Sequence, residues 1–529
     1  PSGRWFLSGM EGLGHERAVR RLEAAGTPPV DIVRRIGPGM EEGTIVFLPS
    51  PGFPDPRVLA FKSVICSREI YWVLSDKEGI VLSDRFADIL PELPPEARKV
   101  CERRAVHFLM GCNLRGDWTL VEAVHRVGHG ELLLFTRGEK VPGKRKIQRF
   151  SWESTVRDPE EALQVMEKAL DKVAGILAPV RNKAMMFSGG VDSTLVWSSL
   201  RPRIPAVTGY VDTDPGEMET AKAAAIRHGI DCGFLQVKET GFLDDYRRAL
   251  EDVGLPFIIS NFQMLYYMKA FESGFTHLVS GELADSIWGM SHTVRIFQEG
   301  PEGDYSGSLG SSPLSPVGYG IRVHLLLPDD LQLLFRLYGE QEILGCLGNN
   351  LSYALDCLDP AVPLDRDFRS GHADLGSLAF ILNGSWRSNY RQAGYVNGVG
   401  LSFPFETLSM VKAALSIALP GRILSPEGQT KPLVHRLLAR KLPGAVAPRK
   451  SGSGLPRTRY CQEGPFAGFF REHPVPAFWP SGCADLLENP TRESSSLVMK
   501  CISLQMWEKE VLRPRSSSGG KLPLRPPAG

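Results

Sequence analysis

Phe187-Ser188-Gly189-Gly190-Val191-Asp192-Ser193-Thr194 is the stretch whose reading decides the fold. It follows the apolar run Ala184-Met185-Met186-Phe187 and leads into a helical pattern from Ser193 to Leu200, so it is a glycine turn joining a strand to a helix. Two glycines let backbone N–H groups come close to a phosphate, the serines add hydroxyl donors, and the helix that follows presents its positive end. Asp192 has no place in a simple anion cradle unless a cation sits there too. Mg²⁺ fits, because it takes a few carboxylates together with phosphate oxygens. Ser-Gly-Gly alone would be an ordinary βα turn; the complete string, between strand and helix, reads as a nucleotide loop made by Ser188, Gly189, Gly190, Val191, Asp192 and Ser193. The spaced GxxxxGK[ST] of a Walker A loop is absent.

Outward from the loop, strand and helix alternate. Ala206-Val207-Thr208-Gly209-Tyr210-Val211 is a strand, Glu217 to His228 a helix closed by Gly229, Phe234-Leu235-Gln236-Val237 a strand, and His277-Leu278-Val279-Ser280 another. Such alternation predicts an α/β fold with a doubly wound parallel sheet, whose ligands bind at the carboxyl ends of the strands, where Ser188 and Gly281 both fall. Upstream, Asp158-Pro159-Glu160-Glu161 supplies an N-cap acid, proline at the first helical position and Glu three residues after the cap. A helix from there to about Leu177 opens this unit, with a boundary near Arg157. Residues 1 to about 150 offer short β-rich runs, Thr44 to Leu48, Ile70 to Leu74, Ile80 to Leu82 and Glu131 to Phe135, which predict a layered β-sheet domain. Helical patterns dominate from about 322 to 445, including Leu408 to Ala418 and Lys431 to Lys441. Gly300 to Gly320, dense in Gly, Ser and Pro, is expected to be a mobile loop or lid, and the Pro/Arg/Ser/Gly stretch 513–529 a disordered tail.

Bulk properties narrow the classes. A chain of 529 residues is too long for one compact core, so two domains are the natural expectation, here 1–155 and 156–512. With 61 basic against 60 acidic residues there is no general electrostatic pull toward nucleic acid or an anionic membrane. No apolar run is long enough for a membrane span and no internal repeat is visible. The nine cysteines show no CxxC pair and are odd in number, which reads as reduced, mostly buried thiols of a cytoplasmic protein.

The Ser188 loop resembles that of ATP pyrophosphatases, the class that includes asparagine synthetase, argininosuccinate synthetase and several tRNA-modifying enzymes. A second segment, Val279-Ser280-Gly281-Glu282-Leu283-Ala284-Asp285-Ser286-Ile287-Trp288-Gly289-Met290, resembles the Ser-Gly-Glu-Gly-Ser-Asp-Glu-Leu of asparagine synthetases. Taken alone, its acids are first-turn residues favourable to a helix dipole. By the resemblance, Gly281 joins the nucleotide site, Asp285 is the second Mg²⁺ ligand beside Asp192, and Glu282 faces the reacting carboxyl or amine. Leu283 and Ala284 stand where that family has Gly-Ser, and Ser286 where it has Glu, so the substrate pocket is expected to differ. Gly398 to Glu406 resembles the family's segment ending in Val-Pro-Phe-Leu-Asp, which puts Glu406 among the catalytic candidates. Lys431 to Arg440, Leu442-Pro443 and Pro448-Arg449-Lys450 resemble its C-terminal helix and lysine. The matching lysine in β-lactam synthetase stabilises charge developing in ring closure, so Lys450 is the candidate for that role.

The N-terminal part echoes the end of the family's glutamine-hydrolysing domain. That domain needs an N-terminal cysteine whose amine acts as base; the sequence begins Pro1-Ser2-Gly3-Arg4 and its first cysteine is Cys66. The resemblance therefore implies a β-rich degenerate Ntn-glutaminase-like domain ahead of a synthetase domain with a helical C-terminal part, as in β-lactam synthetases and lasso-peptide cyclases. It further implies ATP and Mg²⁺ as cofactors, and a small carboxylate or peptide as substrate, with a precursor peptide and its processing proteins as partners. The expected chemistry is adenylation of that carboxylate and amide formation with an amine the substrate carries. Ammonia-dependent amidation, tRNA modification and a non-catalytic scaffold are the alternatives; neutral charge and no RNA-binding module count against tRNA modification, and intact Asp192, Asp285 and Lys450 against the scaffold.

Overall fold

The structure is a computed structural model, which describes residues 3–10, 12–53, 57–75, 79–110, 114–152, 155–213, 215–257, 273–289, 328–360, 377–379, 381–384, 386–418, 421–444 and 457–513. The 300–320 segment, the 514–529 part of the expected tail and Lys450 lie outside these residues.

The strand and helix predicted around Ser188 form at β9 (Lys183–Met186) and the helix Val191–Ser199. β9 lies at the centre of a five-stranded parallel sheet, in which β10 (Ala206–Val211) and β11 (Cys232–Val237) extend to one side and β12 (His277–Ser280) and β13 (Gly400–Ser402) to the other. The order β11-β10-β9-β12-β13 is doubly wound: the chain moves outward from β9 to β11, then returns to pair β12 with the free edge of β9, Ser280 opposite Met186. Between the carboxyl ends of β9 and β12 the winding reverses, and a crevice opens there in sheets of this kind. Burial on both faces explains why the central strands read as apolar runs rather than alternating ones.

Asp158 caps the helix Pro159–Leu177 as its sequence predicts, accepting from the N–H groups of Glu160 and Glu161 at 3.0 and 2.8 Å. At the other end of that helix, the buried Lys183 ammonium donates to the carbonyls of Ala178 and Val180 and links the helix end to β9. Helix Gly216–His228 ends at Gly229 in the left-handed conformation, φ 62°.

The first 150 residues form two antiparallel sheets. One runs β1 (Gly3–Gly9), β2 (Gly43–Pro49), β3 (Val58–Lys62), β7 (Glu131–Phe135), β8 (Gly143–Lys146); the other, β5 (Gly79–Ser83), β4 (Tyr71–Ser75), β6 (His125–Arg126). Helices Gly12–Ala24 and Pro29–Ile36 contribute Val19, Ile32 and Val33 to a core over one face of the larger sheet, while Trp72, Leu133 and Phe135 fill the space between the two sheets. The largest apolar cluster continues from Val64, Phe86 and Phe108 into the parallel-sheet region, so the two parts share a core. Hydrogen bonds follow it across: the Lys500 ammonium to the Leu109 carbonyl, and the His129 N–H to the Tyr353 hydroxyl. The eight described cysteines are all unpaired, and five of them are buried. Among the described residues no helix is long and apolar enough to cross a membrane.

Two histidines in this framework carry a pH dependence. Burial, aided by Arg103 and Arg104, pulls His107 down to about 4; burial, aided by Arg68, Arg391 and Lys183, does the same to His277, which bonds Ser402 at 2.9 Å. In the unfolded chain both titrate near 6.5, so between these values the unfolded chain binds more protons than the folded one. Their contribution is complete above that window and falls with pH inside it, by at most about 1.4 kcal/mol per pH unit for each histidine. Urea unfolding at about pH 7 and about pH 5 checks this, and an unchanged midpoint refutes it.

Candidate active site

Gly189 takes a left-handed backbone, φ 72°, at the tip of the turn after β9; a Cβ there would lie 3.0 Å from both the Ala224 Cβ and the Thr220 carbonyl oxygen, so the loop sits flush on helix Gly216–His228. Gly190 precedes the first helical residue, Val191. The Ser188 hydroxyl accepts from the Gly190 N–H at 3.3 Å and lies 3.2 Å from the Ser193 hydroxyl, while Thr194 Oγ1 donates to the Gly190 carbonyl at 2.7 Å. The loop is thereby held by its own hydroxyls in a tight turn at the N-terminus of a nine-residue helix, where backbone N–H groups and the helix dipole favour an anion.

Gly281 brings the second segment onto the first. A Cβ on it would fall 2.7 Å from the Ser193 nitrogen and 2.9 Å from the Asp192 carbonyl carbon, so only glycine permits this approach of the two backbones. Gly281→Ala is expected to force the loops apart, at a cost of about 1–3 kcal/mol in stability, and to weaken binding of an ATP analogue; calorimetry showing wild-type affinity would refute a shared site. Glu282 follows, half-buried, its N–H donating to the Ser280 hydroxyl at 3.3 Å. Leu283, which stands where asparagine synthetases have glycine, keeps a left-handed backbone, φ 75°, and is buried. For a branched side chain that conformation is strained, at about 1–3 kcal/mol, and burial of the leucine offsets it.

Asp192, from the first loop, and Asp285, from the short helix Ala284–Trp288, converge on one group that the sequence reading placed only within a helical stretch: Lys431. Its ammonium is 2.6 Å from Asp192 Oδ2 and also pairs with Asp285 Oδ1. Lys431 itself is left-handed, φ 56°, and immediately precedes helix Pro432–Lys441, which packs on helix Val191–Ser199. Its N–H donates to the Ile423 carbonyl at 3.1 Å, at the base of a hairpin closed by the Leu424–Thr430 bridge and the Ser425–Gln429 turn. Gly289 makes room for that hairpin, since a Cβ there would meet the Ile423 carbonyl oxygen at 2.8 Å. Burial alone would lower the lysine's pKa, but Asp192 and Asp285 outweigh it and hold the pKa above its usual value. One signal for Lys431 was present in the sequence: a cation at the start of a helix opposes the helix dipole and needs another reason to be there.

At the carboxyl ends of β10 and β11 a further pair was missed, Arg459 with Glu239 at 2.6 Å, and Arg459 also approaches Thr213. Nothing local in either stretch marks it, because the partners lie 220 positions apart.

Glu406 is placed elsewhere than the sequence reading put it. It is fully buried where the two parts of the chain meet, paired with Arg387, accepting from the Ser67 hydroxyl at 2.9 Å and lying 3.8 Å from Arg391. Burial raises its pKa, and Arg387 and Arg391 counter part of that. A carboxylate sealed from solvent and committed to two arginines is an anchor between segments rather than a group turned to a ligand. The residue sits past the end of edge strand β13, and its chain continues inward to helix Leu408–Ser416, which is why a motif that follows the family's order ends in the interior.

The donors at the crevice fit Mg²⁺: two carboxylates reach one point from two loops, beside serine hydroxyls and a turn that admits no Cβ, a hard-oxygen set of the kind that ion shares with phosphates. No curated protein gives a match to the chain. Residues 176–299, which supply both loops, match the family model for asparagine synthase, and this supports an asparagine synthetase-like domain with ATP pyrophosphatase-type amide-forming chemistry in general.

Proposed function

We propose that the protein is an ATP- and Mg²⁺-dependent synthetase that adenylates a substrate carboxylate and forms an amide with an amine of the same substrate. The observation that carries this reading is the convergence of Asp192 and Asp285 on a single cation at the switch point of the sheet.

In this reading the turn Ser188–Ser193 holds the pyrophosphate end of ATP through its hydroxyls, its backbone N–H groups and the helix that follows. Asp192 and Asp285 would hold Mg²⁺, which supplies positive charge to the phosphate oxygens. The substrate carboxylate attacks the α-phosphorus, pyrophosphate leaves, and the amine then attacks the acyl carbon and expels AMP. Adenylation turns a poor leaving group into a good one, and tethering gives the amine an effective molarity of up to ~10⁵ M or more. Glu282, just past the carboxyl end of β12, is assigned the acid that faces the reacting carboxyl or amine, and Lys450 the cation that steadies the developing oxyanion. Residues 1–155 are read as the degenerate glutaminase-like domain and 156–512 as the synthetase.

Pyrophosphate release from ATP and Mg²⁺, measured against panels of small acids and peptides, tests the proposal. Release coupled to loss of water from the substrate, without added ammonia, is expected. Release only with ammonia would overturn the intramolecular step, and neither release nor ATP binding would overturn the whole.

A further inference from the structure

We propose that Lys431 is a built-in counter-cation for the Asp192–Asp285 pair, and that it makes divalent-metal binding at this site depend on the nucleotide arriving with the metal. The inference rests on the ATP–Mg²⁺ reading above and adds how that site is loaded.

The ammonium nitrogen already occupies the two carboxylates that would hold the metal, at hydrogen-bond distance from Asp192 Oδ2 and in an ion pair with Asp285 Oδ1. A dication and an ammonium compete for the same oxygens, and they repel each other strongly at this separation in a partly buried place. The free chain therefore binds a divalent ion weakly here. Bringing in a polyphosphate changes the balance: its oxygens offer the ammonium another partner and supply the remaining ligands of the metal, so the lysine leaves as the metal enters.

The backbone is built for that exchange. The Lys431 Cα is fixed by the N–H bond to Ile423, by the hairpin behind it and by the helix that begins at Pro432. Only the four-carbon stem has to move, and lysine carries its charge as a compact point on such a stem. Asp285 keeps nearly half of its side chain exposed while Asp192 and Lys431 are largely covered, so the opening through which ions exchange lies on the Asp285 side. The position of Lys431 at a helix N-terminus, where the dipole disfavours a cation, also fits a residue kept for what its side chain holds.

Mn²⁺ serves as the probe, followed by electron paramagnetic resonance of the free ion in the wild-type chain and in Lys431→Met, each with and without α,β-methylene-ATP. Expected for the wild type is weak Mn²⁺ binding alone and binding at least about tenfold tighter with the analogue. Lys431→Met is expected to bind Mn²⁺ without nucleotide at least about tenfold more tightly than the wild type, a difference of about 1.4 kcal/mol, and a further Asp192→Asn change is expected to remove that gain. Equal Mn²⁺ affinity in wild type with and without the analogue, at a level matching Lys431→Met, overturns the proposal, as does a Lys431→Met site no tighter than wild type. The wild-type comparison stands by itself if the variant does not fold. Failure of the analogue to bind at all, with the Lys431→Met gain intact, would instead refute the ATP reading and leave the counter-cation in place.

Discussion

Asp192→Asn and Asp285→Asn are each expected to lower pyrophosphate release by on the order of 10²-fold or more, the usual loss when a charged element of a preorganised site is removed. The two carboxylates come from different loops and meet at one point, so neither substitutes for the other. Stability should respond differently at the two positions. The Asp285 side chain is about half exposed, so its pair with Lys431 is solvent-screened and worth about 0–1 kcal/mol. Asparagine there leaves the fold intact, and turnover assayed beside urea unfolding separates the two effects. Normal turnover in Asp285→Asn would refute its place as a metal ligand.

Glu406→Ala is expected to act on the fold instead, destabilising the chain by about 3–5 kcal/mol, because it leaves Arg387 buried without its counter-charge. Arg391 loses one acidic neighbour and keeps another, Glu42 at 3.4 Å. Removing both partners together, as Glu406→Leu with Arg387→Met, is expected to cost much less than removing one, since a buried ion pair gains little over apolar groups of similar shape. Urea unfolding of the three chains checks the order. A Glu406→Ala protein that unfolds like the wild type yet has lost turnover would return Glu406 to the catalytic list.

The contrast between these two predictions tracks what was legible. The Ser188–Ser193 and Gly281–Asp285 segments could be read because their chemistry uses local backbone geometry: a positive φ at Gly189, a close approach at Gly281, an acid fixed at the start of a helix. Those requirements act within a few residues and leave their mark on residue type. Alternation of strand and helix likewise follows from local periodicity, and with it the parallel sheet and the end of the sheet where ligands bind. The surroundings of Glu406 were not legible, because its segment obeys the same kind of local pattern while its partners are Ser67, Arg387 and Arg391, which no pattern around residue 406 specifies.

By itself, then, the sequence determined the α/β class, the two loops and the acids they carry, since each depends on interactions between near neighbours in the chain. Only the tertiary structure decided which distant groups meet them. Lys431 reaches Asp192 across 239 positions because the helix that begins just after it packs onto the helix that follows β9. Glu406 is turned inward because two parts of the chain close over it. Such pairings are fixed by packing and by the need to satisfy buried charge, and both are properties of the folded whole.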